Sequence, residues 1–442
     1  MTPPPFSAHA AHVHALVNEA IAAAQPARVM AAHLRREGQM VLLPDYAFDL
    51  ARGRLFLVSV GKAGVALARA AAAALGEGGI AAGIVIAKQP TANLPAPLRY
   101  YQGSHPVPDE KSVAAATALA DLLRHTRPQD LVLCLVSGGT SSLLSRPRLP
   151  LAPWQALNQA LLHSGCPINE LNHVRQQFDA IKGGGLARLA APASVVTLIL
   201  SDVVGNHLAH IGSGPTVITP LDAGKAQDIL NAYNVWSRLD AATRRQVRDL
   251  LARPAVAEEA AASSAAITRN DHHIIGDVGL AARAAAAAAT ARGFTTRLLT
   301  TTLTGEARQV GRQIAATARA LPPDQCHLYG GETTVTVQGD GYGGRNQEMA
   351  LAAAISLAHH PNCVIAAFST DADDGLHPAD APAVAGAYVT GETVPQGMAR
   401  GLDAARYLAN SNSYAFFQAL GEGHITAATG TNVNDLTLVL TY

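Results

Sequence analysis

The sequence predicts an α/β fold of two domains, in which buried strands alternate with helices. Its apolar runs, rich in Val, Ile and Leu, are continuous rather than alternating, as expected for strands covered on both faces. Ala-rich stretches with helical spacing separate these runs, which gives the βαβα order of doubly wound layers. At 442 residues the chain is too long for one ordinary core, so two domains are expected.

The predicted elements follow from these patterns in chain order. Strands are predicted at residues 55–60, 83–87, 131–136, 195–200, 326–329, 334–337 and 363–368. Helices are predicted at residues 9–24, 62–75, 110–125, 168–181, 277–291, 305–320 and 345–358. The stretch 252–265, "ARPAVAEEAAASSA", lacks a clean period, so we place the domain connection there.

Composition restricts the classes of partner. Lys and Arg number 33 and so do Asp and Glu, so charge gives no reason to expect nucleic acid or an anionic membrane as a partner. The N-terminus lacks a secretory signal pattern, and no run reaches the roughly 18–20 apolar residues of a membrane span. We therefore expect a cytoplasmic protein, and the sequence leaves a homo-oligomer open. The four cysteines show no CxxC spacing, so reduced thiols are expected.

Polar, glycine-rich segments follow five of the predicted strands. These segments are "GKAG", "SGGTSS", "SDVVGN", "GGETT" and "STDADDG". Ligands of open α/β sheets bind outside the carboxyl ends of the strands. The segments therefore predict a ligand crevice at the strand ends.

Two of these segments suit a phosphate or another anion. In "SGGTSS", residues Ser137, Gly138, Gly139, Thr140 and Ser141 can bring backbone amides and a helix start close to a phosphate; the alternative is a common tight turn with a serine cap.

The lysine of "VGKAG" is the second candidate. Lys62 lies between two glycines at a strand end, although the GxxxxGK[ST] spacing of a phosphate loop is absent. It either pairs with a substrate carboxylate or phosphoryl group, or is a surface lysine of the first helical turn.

The stretch "GGETTVTVQGDGYGGRNQEMALAAA" predicts a strand, a glycine turn and a helix. Gly330 and Gly331 end the strand, and the later glycines are expected to leave room for an anionic ligand beside Arg345. The guanidinium of Arg345 fits a carboxylate or a transferring phosphoryl group, and Asn346 can hold the ligand or the loop in register. The alternative is an arginine that only ties down a flexible hairpin.

Other candidate ligand contacts are histidine, basic and acidic residues. His105, in "GSHPVPDE", can line the crevice. Arg175 and Lys182 lie seven apart on a predicted helix, where they either reach a substrate carboxylate or form a solvated basic face. Hard oxygen ligands suit Mg²⁺, and the acidic residues near the strand ends are Asp202, Glu332, Asp371, Asp373 and Asp374.

As a set, these segments resemble the class II glycerate 2-kinases. The matching segments are "VGKAG" (60–64), "GSHPVPDE" (103–110), "VSGGTSSLL" (136–144), "LNHVRQQFDAIKGGGLA" (171–187), "LSDVVGN" (200–206), "GSGPTV" (212–217), "GEAR" (305–308), "GGETTVTV" (330–337), "GGRNQEMAL" (343–351) and "TGTNVNDL" (429–436). The resemblance implies a larger N-terminal, Rossmann-like α/β/α sandwich at 9–255. It also implies a smaller C-terminal α/β region at 265–442 that contains a MOFRL domain, with the active site in the interdomain cleft.

The resemblance also implies an activity. The family transfers the γ-phosphoryl group of ATP to the 2-hydroxyl of D-glycerate, with a divalent cation such as Mg²⁺, giving 2-phosphoglycerate and ADP. It implies catalytic roles for Lys62 and Arg345. On this reading the nucleotide contacts residues 137–141, Asp202, Gly330 and Gly331, and the metal takes Asp202, Glu332 or Asp371.

The match departs from the family pattern at two places. Asn206 and His207 stand where the family usually has an acidic pair, and Ala372 stands where a glycine is common. Family members have also been labelled hydroxypyruvate reductases, so an NAD(P)H-dependent reductase is the alternative activity. No GxGxxG follows a predicted strand with an acidic residue about 20 positions on, which argues against a dinucleotide site.

Overall fold

The protein forms two compact units. The computed structural model describes residues 6–253, 267–360, 362–421, 423–425 and 429–442, with backbone only for residues 6–9. Val29–Ile275 form one unit, which we call the large unit. The chain up to Arg28 joins Gly276–Tyr442 in the other, which we call the composite unit.

The large unit is built on a six-stranded sheet. A small antiparallel sheet precedes it, made of β1 (Arg35–Glu37), β2 (Met40–Leu43) and β3 (Tyr46–Asp49). The strands of the main sheet are β4 (Leu55–Val60), β5 (Ala82–Ala87), β6 (Leu98–Gln102), β7 (Leu131–Ser137), β8 (Ser194–Leu200) and β9 (Asn270–Gly276). Their spatial order is β6-β5-β4-β7-β8-β9, and β4 to β8 pair in parallel.

This strand order reverses direction between β4 and β7. Numbered within the sheet it is the 3-2-1-4-5-6 order of the doubly wound Rossmann fold, whose ligand crevice lies at that reversal. Strands β4, β5, β7 and β8 are mostly apolar, as expected for strands covered on both faces, and β4 and β7 are buried at every residue. The Rossmann-like fold and the predicted strands at 55–60, 83–87, 131–136 and 195–200 are therefore confirmed.

Five helices of the first part of the chain begin at an aspartate cap or a glycine cap. The helices are α1 (Phe6–Ala23), α2 (Pro26–His33), α3 (Gly64–Leu75), α4 (Glu110–Leu123), α5 (Thr140–Leu143), α6 (Leu151–Leu162), α7 (Ile168–Phe178), α8 (Gly185–Ala190), α9 (Ala223–Ala232) and α10 (Ala241–Leu251). The Asp109 side chain caps α4 by accepting hydrogen bonds from two backbone amides, and Asp222 and Asp240 cap α9 and α10. Helices α6, α7, α9 and α10 enclose a second core around Trp154 and Phe178.

The composite unit contains a mixed six-stranded sheet. Its strands are β10 (Thr295–Leu303), β11 (Gln325–Gly331), β12 (Cys363–Ser369), β13 (Gly386–Thr390), β14 (His424–Ile425) and β15 (Asp435–Thr441). Strand β15 lies between β11 and β12 and is antiparallel to both, with Asp435 opposite Gly331 on one side and Ser369 on the other. The first residue of β15 therefore lies at the carboxyl ends of β11 and β12.

Helices cover both faces of this second sheet. They are α11 (Val278–Thr290), α12 (Ala307–Ala318), α13 (Arg345–Leu357), α14 (Thr393–Ala399), α15 (Ala404–Ala409) and α16 (Ser413–Leu420). Helices α12 and α13 share a core with Ile365 and Ala367 of β12. The first helix packs on α11, and His12 of that helix hydrogen-bonds the Tyr442 hydroxyl at 2.9 Å. The N-terminal helix is thus part of the fold of the C-terminal half.

Several predicted elements differ from the structure. Residues 334–337 form no strand: Thr334 makes one isolated bridge, and the Val337 side chain is 68% exposed. The predicted domain limits also differ from the contact-based units, because α1 belongs to the composite unit and β9 belongs to the large unit's sheet. The predicted connection at 252–265 lies mostly outside the described residues. Among the described residues, no helix is long and apolar enough to cross a membrane.

Candidate functional site

The loops after β4 and β7 are joined at the point where the strand order reverses. The backbone N–H of Lys62 donates to the carbonyl oxygen of Gly138 at 2.7 Å. The backbone N–H of Ala63 donates to Ser137 Oγ at 3.1 Å. A Cβ added at Gly61 would lie 2.1 Å from that same Oγ, so only glycine allows this approach. The two loops therefore form one rigid surface.

The "SGGTSS" turn presents backbone amides rather than hydroxyl groups to a ligand. Thr140 Oγ1 donates to the Ser137 carbonyl oxygen at 2.7 Å, and Ser141 Oγ lies 2.9 Å from Ser213 Oγ. Within the described parts of the chain, the backbone amides of Gly139, Thr140 and Ser141 have no hydrogen-bond acceptor. Amides at the start of a helix have no partner inside it, and here they belong to the four-residue α5.

Three predicted site residues lie directly on these glycines. A Cβ added at Gly139 would be 3.3 Å from Lys62 Cγ and 3.4 Å from His105 Cδ2. A Cβ added at Gly138 would be 1.7 Å from Asp202 Oδ2. The structure therefore brings Lys62, His105 and Asp202 together at the Gly138–Gly139 turn. Lys62 is exposed there, and Asp202 is half-buried.

His105 is held in its neutral form. Its pKa is lowered to about 4, first by burial and then by the charges of three cations, Lys62, Lys88 and Arg175. At pH 7 the imidazole is therefore uncharged, and it can both donate and accept a hydrogen bond. The charge of Arg175 is thus one of those that act on this histidine.

Arg175 is a buried cation with unused donors. Its side chain lies on α7, the residue is 7% exposed, and Nε donates to Asn158 Oδ1 at 2.8 Å. Neither Nη atom has a hydrogen-bond acceptor within the segments that the structure describes. Burial lowers the pKa of Arg175 to about 10, and Asp179 partly offsets this. A largely buried guanidinium whose two Nη atoms have no acceptor among the described residues fits a carboxylate ligand.

Lys182 is a buried cation paired with Asp179. Helix α7 ends at Phe178, so Arg175 and Lys182 do not share a helix face. The Lys182 side chain is 1% exposed and its Nζ lies 2.6 Å from Asp179 Oδ2. Burial lowers the pKa of Lys182 and the Asp179 carboxylate opposes this shift. The alternative prediction, that Arg175 and Lys182 form a solvated basic face, was wrong because both cations are buried.

In the composite unit, Arg345 is held by two carboxylates. Its Nε and Nη2 donate to the two oxygens of Asp435 at 2.5 and 2.9 Å, and Nη1 lies 2.8 Å from Glu332 Oε1. Burial alone would lower the pKa of Arg345, but the hydrogen bonds and charge of Asp435 raise it above its ordinary value. The guanidinium therefore stays charged.

Asp374 occupies the N-terminus of α13, next to Arg345. Its carboxylate accepts the backbone N–H groups of Asn346 and Gln347 at 2.9 and 2.8 Å. The side-chain amides of the same two residues also donate to it, both at 3.1 Å. Burial raises the pKa of Asp374 to about 6. Asn346 is fully buried, so it holds the loop, which is the second of its two predicted roles.

The glycines before Arg345 allow close packing rather than leave space. Added Cβ atoms at Gly339 and Gly341 would lie 2.0 Å from Asn410 Oδ1 and 2.4 Å from Asn412 Cβ. At Gly344 the nearest atom would be the carbonyl oxygen of Asp374, at 2.1 Å. The prediction that these glycines leave room for an anion was therefore wrong, because the 410–413 segment and Asp374 fill the space beside them.

Gly330 and Gly331 also serve packing within the sheet. A Cβ at Gly330 would lie 2.7 Å from Val278 Cγ2, and one at Gly331 would lie 2.2 Å from the Leu303 carbonyl oxygen. Both residues belong to β11, and a contact with a nucleotide would involve their backbone atoms alone.

The three predicted metal ligands differ in how their carboxylates are used. Glu332 faces Arg345, and Asp371 Oδ1 accepts from Ser369 Oγ at 2.6 Å. Asp202 lies against the Gly138 turn. No group of three or more His, Cys, Asp or Glu residues within the described segments is arranged to hold a metal ion. Mg²⁺ in kinases takes one or two carboxylates plus phosphate oxygens, and Asp202 fits that pattern.

Asp435 is the residue at this site that sequence reasoning missed. Asp435 belongs to the segment "TGTNVNDL", and an aspartate before an apolar run is typical of a turn. Its position became visible only through the pairing of β15 with β11 and β12. The sequence signal that could have indicated Asp435 is an acidic residue at the start of an apolar strand, with no basic residue near it in sequence.

Comparison with known proteins gives matches along most of the chain. Residues 12–252 match a domain of unknown function, DUF4147, and residues 325–435 match the MOFRL family. A glycerate 2-kinase from Pyrococcus horikoshii is 33% identical, covering 96% of each chain. A D-glycerate 2-kinase from Thermotoga maritima is 37% identical, covering 88% of this chain and 90% of the relative.

Two further matches bear on fold and on the alternative activity. The crystal structure of a glycerate kinase from Thermotoga maritima has a TM-score of 0.83 and 33% identity, covering 99% of this chain and all of that one. A putative hydroxypyruvate reductase from Agrobacterium vitis is 37% identical, covering 88% of this chain and 99% of the relative. The chain, with a DUF4147 domain followed by a MOFRL domain, belongs to the glycerate kinase family.

Proposed function

We propose that this kinase transfers the γ-phosphoryl group of ATP to the 2-hydroxyl of D-glycerate, forming 2-phosphoglycerate and ADP. The observation that carries the proposal is the contact of Lys62 and His105 with the Gly139 turn, where the strand order reverses, together with the positive charge of Arg175 that acts on the same histidine. Cations and backbone amides suit a carboxylate and phosphoryl groups, which are the two anionic partners of this reaction.

Each residue of the group has a separate task in this proposal. Arg175 binds the glycerate carboxylate with its two unsatisfied nitrogens. Neutral His105 hydrogen-bonds a hydroxyl of glycerate and fixes which hydroxyl is presented. Lys62 is exposed beside the turn and stabilises the charge on the transferring phosphoryl group. No covalent intermediate is required, because positioning and charge neutralisation are sufficient.

The nucleotide and the cation belong to the same proposal. The amides of Gly139, Thr140 and Ser141 bind phosphate oxygens, and Asp202 holds the metal. Bound Mg²⁺ would neutralise charge on the nucleotide phosphates. Arg345 supplies a second positive charge for the reaction, a role that rests on the resemblance and on its fixed protonation.

The reductase alternative is supported by the name of the Agrobacterium relative and by the strand order that dinucleotide-binding proteins share. Two local features argue against it. The turn after β4 is "GKAG" rather than GxGxxG, and Lys88 follows β5 where an NAD-binding fold places an acidic residue for the ribose. We therefore propose the kinase as the principal activity.

One assay separates the two activities. The purified protein is incubated with D-glycerate, ATP and Mg²⁺, and in parallel with hydroxypyruvate and NADH or NADPH. We expect ADP formation that depends on glycerate and is lost in Lys62→Ala but kept in the control Lys225→Ala, a substitution on α9. Oxidation of NADH or NADPH without ADP formation would overturn the proposal.

A further inference from the structure

The two carboxylate oxygens of Asp435 hold one edge of the Arg345 guanidinium. We infer that Asp435 is a positioning residue for the reaction, which fixes the direction of the Arg345 guanidinium without contacting substrate itself. The inference rests on the role proposed above for Arg345. A bidentate arginine–carboxylate pair fixes the guanidinium plane as well as its distance, so it determines where the remaining N–H groups point.

Asp435 is suited to this task because its own backbone is fixed on both sides. Its side chain is 7% exposed, and the residue pairs with Gly331 of β11 and Ser369 of β12. The preceding turn is also anchored, since Thr370 Oγ1 donates to the Asn434 carbonyl oxygen at 2.7 Å. The carboxylate therefore projects from the central strand of the sheet and not from a loose loop.

Arg345 is fixed at its backbone by a separate contact. It is the first residue of α13, whose first turn is capped by the buried carboxylate of Asp374. A guanidinium has five N–H donors in a rigid fork. Asp435 and Glu332 engage three of them, so two, one on each Nη, are left for a ligand. The side chain is 31% exposed, which leaves this outer edge accessible.

The first test replaces the carboxylate with an amide of the same shape. Asp435→Asn is expected to lower kcat by roughly 10- to 100-fold, the usual effect of losing a residue that orients a functional group. The KM for glycerate is expected to stay within about twofold, because uniform substrate binding is not altered. Asp271→Asn, which breaks the Arg269–Asp271 surface ion pair, is the matched control and should retain wild-type kinetics.

The second test leaves Asp435 in place and removes the arginine. In Arg345→Ala, the carboxylates of Asp435 and Glu332 form a site for free guanidinium ion, and millimolar guanidinium should restore part of kcat. The double variant Arg345→Ala/Asp435→Asn should show no rescue, and methylammonium should not replace guanidinium because it lacks the planar fork. This test stands even if Asp435→Asn fails to fold.

The outcomes distinguish this inference from the proposed function. Full activity of Arg345→Ala would overturn the proposed role of Arg345 in the reaction, and with it the inference that Asp435 positions this arginine. An inactive Arg345→Ala combined with a normal kcat in folded Asp435→Asn, or with no guanidinium rescue, would overturn the inference alone. A kcat loss in Asp435→Asn with guanidinium rescue of Arg345→Ala would establish it.

Discussion

The backbone N–H of Lys62 lies 2.7 Å from the carbonyl oxygen of Gly138, so the turns after β4 and β7 are joined at their tips. This contact sets the distance between the exposed lysine and the amides of the next turn. It also means that a change in one turn is transmitted to the other.

Gly138→Ala should strongly reduce activity. The added methyl group would lie 1.7 Å from Asp202 Oδ2, so the carboxylate or the turn must move. We expect kcat/KM to fall by roughly 100-fold, since displacement of about 1 Å in a catalytic site has that effect. Gly224→Ala is the control, because its methyl group would meet only Asp222 Oδ1 at 3.4 Å. Equal kinetics for the two variants would contradict this prediction.

The pKa of His105 should rise when an anion binds. It is about 4 without ligand, and bound glycerate offsets the charges of Lys62, Lys88 and Arg175, which moves the pKa toward its ordinary value of 6.5. NMR titration of the His105 Cε1 resonance, assigned with His105→Gln, measures both values. A pKa that is the same with and without saturating D-glycerate would show that the anion binds elsewhere.

The same shift predicts how stability depends on pH. Between about pH 4 and 6.5 the unfolded chain binds the proton at His105 and the folded protein does not. The stabilising contribution of neutral His105 to the free energy of unfolding is therefore complete above pH 6.5, and it is lost as the pH falls toward 4. The free energy of unfolding, measured by urea titration between pH 4 and 6.5, should change less with pH in His105→Gln than in the wild type. Identical slopes would contradict the low pKa.

Arg175→Ala should weaken glycerate binding. We expect KM for glycerate to rise about 10- to 100-fold, because hydrogen bonds to a charged group are worth about 1.5–3 kcal/mol. The KM for ATP should change little if the guanidinium binds the glycerate carboxylate. Arg244→Ala on α10 controls for loss of an arginine in the same unit. A rise in the KM of ATP alone would assign Arg175 to the nucleotide.

Lys182→Ala should destabilise the protein strongly. The substitution leaves the Asp179 carboxylate buried without its cation, which costs about 3–5 kcal/mol in comparable sites. The free energy of unfolding, from urea titration followed by circular dichroism, measures the loss. A stable variant with a raised KM for glycerate would instead restore the substrate role that the sequence predicts for Lys182.

The sequence predicted four of the six strands of the large unit's sheet, because those four carry their own signal. Strands β6 (LRYYQ) and β9 (NDHHIIG) are more polar and were missed. Continuous apolar runs such as 131–136 need both faces covered, and parallel order then places their polar ends at one edge. Lys62 and Asp202 were found at this edge for that reason, whereas His105 was predicted from the proline and polar turn that follow it. Strand β10 was missed because its sequence, "TTRLLTTTL", is rich in threonine and only partly buried.

The interpretations that failed depended on partners far away in sequence. The glycines before Arg345 face the 410–413 segment, which lies about seventy residues later in the chain. A glycine-rich sequence looks the same whether its glycines border a ligand or allow another segment to pack against them. Lys182 resembled a surface cation because the burial created by Trp154 and Phe178 is a property of the assembled core. Asp435 acquires its role through the pairing of β15, which local sequence does not encode.

The position of the phosphoryl group on the product tests the central claim most directly. The protein is incubated with D-glycerate, ATP and Mg²⁺, and the product is identified by ³¹P NMR against 2- and 3-phosphoglycerate, with Lys62→Ala in parallel. The account predicts 2-phosphoglycerate from the wild type and no phosphoglycerate from Lys62→Ala. Formation of 3-phosphoglycerate, or an unchanged rate in Lys62→Ala, would contradict it.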